Sequence, residues 1–403
     1  MNGLLLLPVL TGLTTGAEPA PVKGFAVHEW GIFRVHDDVD VANADVRAEW
    51  DGLPAFMYGH VTGRDVPVNW GPVEVRRQPV VFFHAPKTMS VRMKIEFPGG
   101  MPGVWWPGAR SPVTFRTKRP EIGTLIDWEL YLKECPPGRR PQHNGLREVA
   151  RGSWVEKLRA VKCDEVYSVF GDSGLDVDRE KFVFYDDIFP QGKWLRITAD
   201  KDRVGLVNRV KHAVLDVTVI DRRDPKKVRV GRVAKLDAGA EVKAVEWAEV
   251  AADRFAAQAA ETLLKQLTDA GLFKDEAAAL VELRRRDLFE TSGLTVFYRL
   301  PQEEYEKRLP ITLTPRPESL VRVGLVHHQH CEPDFADRVK ALVKQLDDDS
   351  FDRRQQAQKE LEAMGPSVTV HLLRLRKSDL SAEVGKRIDE LIVKWDAKKA
   401  FGR

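Results

Sequence analysis

Past residue 17, no apolar run in this chain is long enough to span a bilayer, so the sequence offers no transmembrane helix. Cysteine is scarce: Cys135, Cys163 and Cys331 are the whole supply, too few for a disulfide scaffold. An excess of one charge is also missing. Lys plus Arg (63) nearly cancels Asp plus Glu (60), and the two signs are interspersed. The chain therefore lacks the basic stripe that neutralises a nucleic-acid backbone, and nucleic acid is set aside as a partner. His-Glu-x-x-His and paired Cys-x-x-Cys are absent as well, so no established zinc motif is present.

What remains is an ordinary globular composition, 43% hydrophobic and 31% charged, over a length sufficient for two or three domains. Residues 1–20 read as a signal peptide or flexible N-terminus. The apolar stretch through Ala17 has the length of a signal-peptide core, with Thr15 and Ala17 as the small residues before a cut at Glu18. No Lys or Arg precedes Lys23, so the positive leading region is missing. Export to the periplasm or cell envelope is the expectation. In that oxidising compartment Cys135 and Cys163 either pair or remain as buried thiols.

From Phe25 the chain alternates like β-structure. In Ser90–Phe97, Val91, Met93, Ile95 and Phe97 share one face while Arg92, Lys94 and Glu96 share the other, the pattern of a strand with one wet side. Short apolar runs broken by Gly and Pro predict one β-sandwich region over 25–120 and a second over 121–326. The second includes Lys181–Tyr185, His212–Ile220, Lys227–Val233, Glu241–Trp247, Gly293–Leu300 and Ser319–Val326. Phe255, Ala259, Leu263 and Leu267 recur at helical spacing, so a helical hairpin over 251–290 interrupts the strands and should pack back on their sheet. Gly271 ends its first helix and Asp275 caps its second. Residues 334–403 then read as helices opening at Asp334, Ser350, about Ser367 and Ser381, the last with an apolar face of Val384, Ile388, Leu391, Ile392 and Trp395. Asp347–Asp349 serve the helix start that follows them rather than a cation.

The tail from Leu342 to Gly365, with its acid run, Phe351, the Arg353–Arg354 pair, Ala357, Leu361 and Gly365, resembles the HEAT-like helical modules appended to many exported bacterial proteins. So short a module should dock on the β body. The segment Val27-His-Glu-Trp-Gly-Ile-Phe33 resembles the Val-His-Glu-Trp-Gly-Thr-Phe signature that opens a family of exported bacterial proteins of unknown function, with Ile32 in place of Thr. Gln78–His84 and Leu288–Pro301 resemble later blocks of that family. The resemblance implies export and this domain layout, and no activity.

Three groups of residues are candidates for function. The densest set of ligand types is His327, His328, His330, Cys331 and Glu332. On a continuing strand His328 and His330 share a face, and two imidazoles so placed can hold Zn²⁺ if a further ligand arrives from His28, Glu29, His36, Asp37 or His60. A metal-dependent hydrolase would then use His328, His330 and His28 or His36 as ligands, with Glu29 or Glu332 as general base. Gly171-Asp-Ser-Gly174 looks like a serine-nucleophile segment, but the partners Ser173 would need are missing, and a turn explains it. Nine of ten tryptophans precede residue 250. Adjacent Trp105 and Trp106 must point to opposite sides of a strand, so one of them is a candidate to face water and stack on a sugar ring. With no complete catalytic set in view, the main expectation is a non-catalytic binding protein of the cell envelope whose partner is a protein or a polysaccharide.

Overall fold

The computed structural model describes residues 20–35, 53–59, 73–110, 125–134, 146–170, 176–190, 194–200, 202–224, 226–365, 368–376 and 378–400. The predicted leader up to residue 19, His36, Asp37, His60, Cys135 and Ser173 lie outside them.

The first half of the chain supplies β1 (Val22–Val35), β2 (Val73–His84), β3 (Met89–Glu96), β4 (Met101–Trp106), β5 (Leu125–Lys133), the short helix α1 (Trp154–Arg159), β6 (Glu165–Phe170), β7 (Asp176–Glu180) and β8 (Val183–Pro190). Next come β9 (Arg196–Ala199), β10 (Val204–Val207), β11 (Val214–Arg222), β12 (Val228–Leu236), β13 (Glu241–Val242) and β14 (Ala248–Val250). The hairpin α2 (Ala252–Asp269) and α3 (Lys274–Arg285) leads through a wide turn, Arg286–Glu290, into β15 (Gly293–Arg299), α4 (Gln302–Arg308), β16 (Ile311–Thr314) and β17 (Pro317–His328). Four helices close the chain: α5 (Phe335–Gln345), α6 (Phe351–Met364), α7 (Thr369–Leu375) and α8 (Ala382–Ala400). The molecule is β-rich with a substantial helical part, as its patterning predicts.

One nine-stranded sheet, in the order β14-β12-β11-β15-β17-β1-β2-β8-β4, organises the body. At its centre β1 and β17 run parallel, with His28 opposite Val321 and Val35 opposite His328. A five-stranded sheet (β16-β3-β5-β6-β7) and a three-stranded one (β13-β10-β9) contribute to the core on one face of it. Strands from both predicted β regions interleave in the two larger sheets, so the division near residue 120 separates no sheet. Parallel pairing explains this: β1 and β17 can be neighbours only through a long crossover, here almost the whole body.

The large sheet is covered on both faces. Phe25, Val27, Phe33, Phe83, Met93 and Trp128 belong to the core shared with the smaller sheets. On the opposite face Trp30, Ile32, Val80, Phe297 and Leu325 pack against Phe255, Leu263, Leu267 and Leu280 of the hairpin. The hairpin thus returns to the sheet it interrupts. Its first helix ends as a Schellman motif: the Leu272 N–H reaches Leu267 O and the Gly271 N–H reaches Thr268 O, with Gly271 at φ +108°. The second start differs from expectation. Phe273 is the boundary residue of α3, and Glu276 reaches back to its N–H, while Asp275 accepts from the Lys162 N–H instead. Glu241–Trp247 also departs from the predicted continuous strand, because the chain bends after Val242 and seats Val245 where a side chain at Gly231 would collide with it.

Helices α5 to α8 bury their own core of Val339, Leu342, Leu361, Leu372, Ile388 and Trp395. Helix starts fall at Phe335, Phe351 and Ala382, next to Asp334, Ser350 and Ser381 as predicted, though neither Asp334 nor Ser350 makes a side-chain cap bond. The tail touches the body where Ser292 donates to Met364 O and where His330 lies on Phe335.

Candidate functional site

The histidines near residue 330 do not converge. Strand β17 ends at His328, and His330 adopts φ +53° beyond it, so the shared face expected of the pair does not form. His328 is buried with its ring 5.7 Å from that of Tyr298. His330 turns toward the tail and stacks on Phe335, ring centres 3.7 Å apart. His327 points to the hairpin side, where burial, with Arg34 nearby, pushes its imidazole well below its usual range. His28 is no help to them, since the β1–β17 register places it seven residues along the strand from the level of His328. At about 3.3 Å per residue that is roughly 23 Å. The metal site expected at His328, His330 and His28 is therefore not assembled. Glu332 is buried, and no side chain among the described residues hydrogen-bonds its carboxylate oxygens, which face the backbone N–H groups of Leu294 and of Glu332 itself. Burial pushes its carboxyl up.

Glu29 serves another purpose. Its carboxylate accepts Tyr185 O–H at 2.5 Å and Tyr305 O–H at 2.6 Å on Oε1, and Arg322 Nε–H at 2.6 Å on Oε2. All four residues are buried away from solvent. A sealed group of this kind locks β1 against β17 and β8 and offers no place for a substrate.

His28 has other company. It projects from the hairpin face of β1, and His84 projects from the same face of β2, displaced by two residues across the antiparallel pair (His28 opposite Phe82, His84 opposite Ala26). Between them stands Glu276, in the first turn of α3. His28 Nδ1–H donates to Oε2 and His84 Nε2–H to Oε1, both at 2.7 Å. Burial alone would raise the Glu276 carboxyl, but the two imidazole hydrogen bonds outweigh it and hold it below the usual carboxylate range. The Phe273 ring lies edge-on to both imidazoles, 4.5 and 4.6 Å from their centres. Residue patterning missed His84 and Glu276. The signal was there in phase: His28 alternates with Trp30 and His84 with Phe82, all on the face the hairpin covers.

Trp105 and Trp106 do point to opposite sides, yet neither reaches water. Trp105 enters the core with the smaller sheets and Trp106 the core with the helices, where its Nε1–H donates to Glu180 at 3.0 Å. A platform on these tryptophans is ruled out because the sheet has no wet face at β4.

The wet face lies on the five-stranded sheet. In β3 and β5 alternate residues are buried and the others reach outward. The outward set includes Tyr131, which is 45% exposed, and Tyr167 on the neighbouring strand, ring centres 6.5 Å apart. Together with Arg92, Glu129, Lys133 and Thr314 they line a shallow groove of about 740 Å³. Arg92 is held flat by Asp127, with Nε–H to Oδ1 at 3.0 Å and a second N–H to Oδ2 at 2.6 Å.

No helix among the described residues is long and apolar enough to cross a membrane. No family model matches the chain, and no curated protein matches it. A solved structure titled as the yeast delta-COP-I mu-homology domain complexed with a Dsl1 WxWxV peptide aligns with 76% of this chain and 97% of its own, at 5% identity and a TM-score of 0.25, a likeness too slight to carry an argument.

Proposed function

We propose that this is an exported, non-catalytic recognition protein of the cell envelope that binds a polysaccharide across the outer face of the five-stranded sheet. The observation that carries this reading is the pair Tyr131 and Tyr167, standing in an open groove on a sheet whose other face is core. Tyrosine offers an apolar ring and a polar tip at low conformational cost. Sugar rings present the complement, a C–H face to lie on the ring and hydroxyls for planar polar groups. Arg92, fixed by Asp127, and Glu129 supply such groups beside the rings. The groove is open and shallow, which suits a polymer better than an enclosed small molecule. Mixed charge along it disfavours a polyanion.

The helical tail, with its resemblance to HEAT-like modules, fits the same role as a second contact, for a protein neighbour, and the resemblance of Val27–Phe33 to exported proteins supports the compartment. The test is co-sedimentation of the untagged protein with insoluble envelope polysaccharides, followed by calorimetry with soluble fragments. Saturable binding to at least one glycan supports the reading. Retention by envelope proteins alone, with every glycan inert, moves the ligand to the protein class.

A further inference from the structure

We propose that His28, His84 and Glu276 form a zinc site that clips the α2–α3 hairpin to the central sheet. Three donors of the right chemistry meet: two imidazole nitrogens and a carboxylate oxygen, all within 4.8 Å of one another. An N₂O set of this kind is typical of Zn²⁺, which takes imidazole and carboxylate at about 2.0–2.2 Å and tolerates a fourth place filled by water. A tetrahedron of that size separates its corners by about 3.3 Å. The 2.7 Å contacts run to the two different carboxylate oxygens, so taking up the ion means opening these contacts by about half an ångström and drawing the donors, now within 4.8 Å of one another, to that spacing.

The surroundings favour a metal over a chance meeting of polar groups. Glu276 is fully buried, His28 nearly so, and His84 partly buried. Its Oε2 also accepts the Phe273 N–H at 2.8 Å, the kind of outer hydrogen bond that orients a ligating carboxylate. The Phe273 ring roofs both imidazoles and limits access of water. The three residues are far apart in sequence, on β1, β2 and the first turn of α3. One ion would therefore join three elements that, without it, are held at this end of the hairpin by two imidazole–carboxylate hydrogen bonds and by Asp275 on the Lys162 N–H. A first-row transition ion is specified by the nitrogen donors; calcium and magnesium, which take all-oxygen sets, are not.

The experiment uses the full chain without a histidine tag. The protein is stripped with a chelator, titrated with Zn²⁺ against a chromogenic competitor, and separately loaded with Co²⁺ for its visible spectrum. The proposal expects one equivalent of zinc, a tetrahedral Co²⁺ spectrum and a zinc-dependent rise in melting temperature. It also expects His84→Ala and Glu276→Gln to lower zinc affinity by ~100-fold or more, while His330→Ala leaves it unchanged. The Co²⁺ spectrum of the wild type stands even if a variant fails to fold. Absence of zinc uptake and of a tetrahedral Co²⁺ spectrum in the wild type overturns the proposal and leaves a hydrogen-bonded His–Glu–His cluster. Undiminished zinc binding by a folded His84→Ala variant overturns it equally.

Discussion

Glu29 shows how a residue that reads as a candidate base becomes part of the frame. Its carboxylate and the Arg322 guanidinium are both fully buried, and the two tyrosine hydroxyls complete the set. Such a pair adds little net stability over apolar packing, but breaking it strands a buried charge at a cost of about 3–5 kcal/mol. Glu29→Gln should therefore lower unfolding free energy by about that amount in urea titrations. A loss below about 1 kcal/mol would mean that Arg322 finds another partner. Glu332 carries the opposite lesson. Its folded carboxyl holds a proton to higher pH than the unfolded chain does, so it costs stability progressively as pH rises from the unfolded glutamate value, about 4.3, through the raised folded value. Glu332→Gln should accordingly stabilise the protein at about pH 8, on the order of 1 kcal/mol, and change little near pH 4. Thermal melts across that range check it, and an equal gain at both ends would exclude ionisation as the cause.

Among the elements, periodicity was a good guide wherever one face decides the pattern. Val91, Met93 and Ile95 alternate as a half-wet strand should, and Phe255, Leu263 and Leu267 mark the buried stripe of α2. It failed where both faces are buried. Nothing in Trp105-Trp106 distinguishes a strand with one wet side from a strand sealed between two cores, and only the covering layers decide it. The same holds for the site. His28 was visible as a ligand type, but its partners depend on the β1–β2 register and on the rotation of α3, both tertiary facts. Turn chemistry was legible, and Gly271 allows a quantitative test. Its φ of +108° disfavours any side chain, and a Cβ there would lie 3.0 Å from Val321. Gly99, at φ +75°, has nothing within 4 Å. Gly271→Ala should cost about 1–2 kcal/mol and Gly99→Ala about 1 or less, the difference measuring the contact with the sheet. Equal costs in chemical denaturation would place all the strain in the backbone.

For the molecule as a whole, the parallel β1–β17 pair brings the two ends of the body together, and the covering helices leave the five-stranded sheet as the face that meets solvent. This architecture separates the two proposed roles. The tyrosine groove lies on the outer side of that sheet, while His28, His84 and Glu276 lie beyond the opposite face of the central sheet, under the hairpin. Binding at the groove should therefore be indifferent to removal of zinc. The most direct measurement is calorimetric titration of a soluble envelope glycan fragment into wild-type protein and into a Tyr131→Ala/Tyr167→Ala double variant, with melting temperatures recorded for both. The account predicts at least a tenfold weaker affinity in the variant, about 1.4 kcal/mol, in a protein that still melts cooperatively, with any lowering of the melting temperature traced to Tyr167, which is partly buried and donates to Glu165. Glycan binding that survives undiminished in the double variant would contradict it and place recognition elsewhere on the molecule.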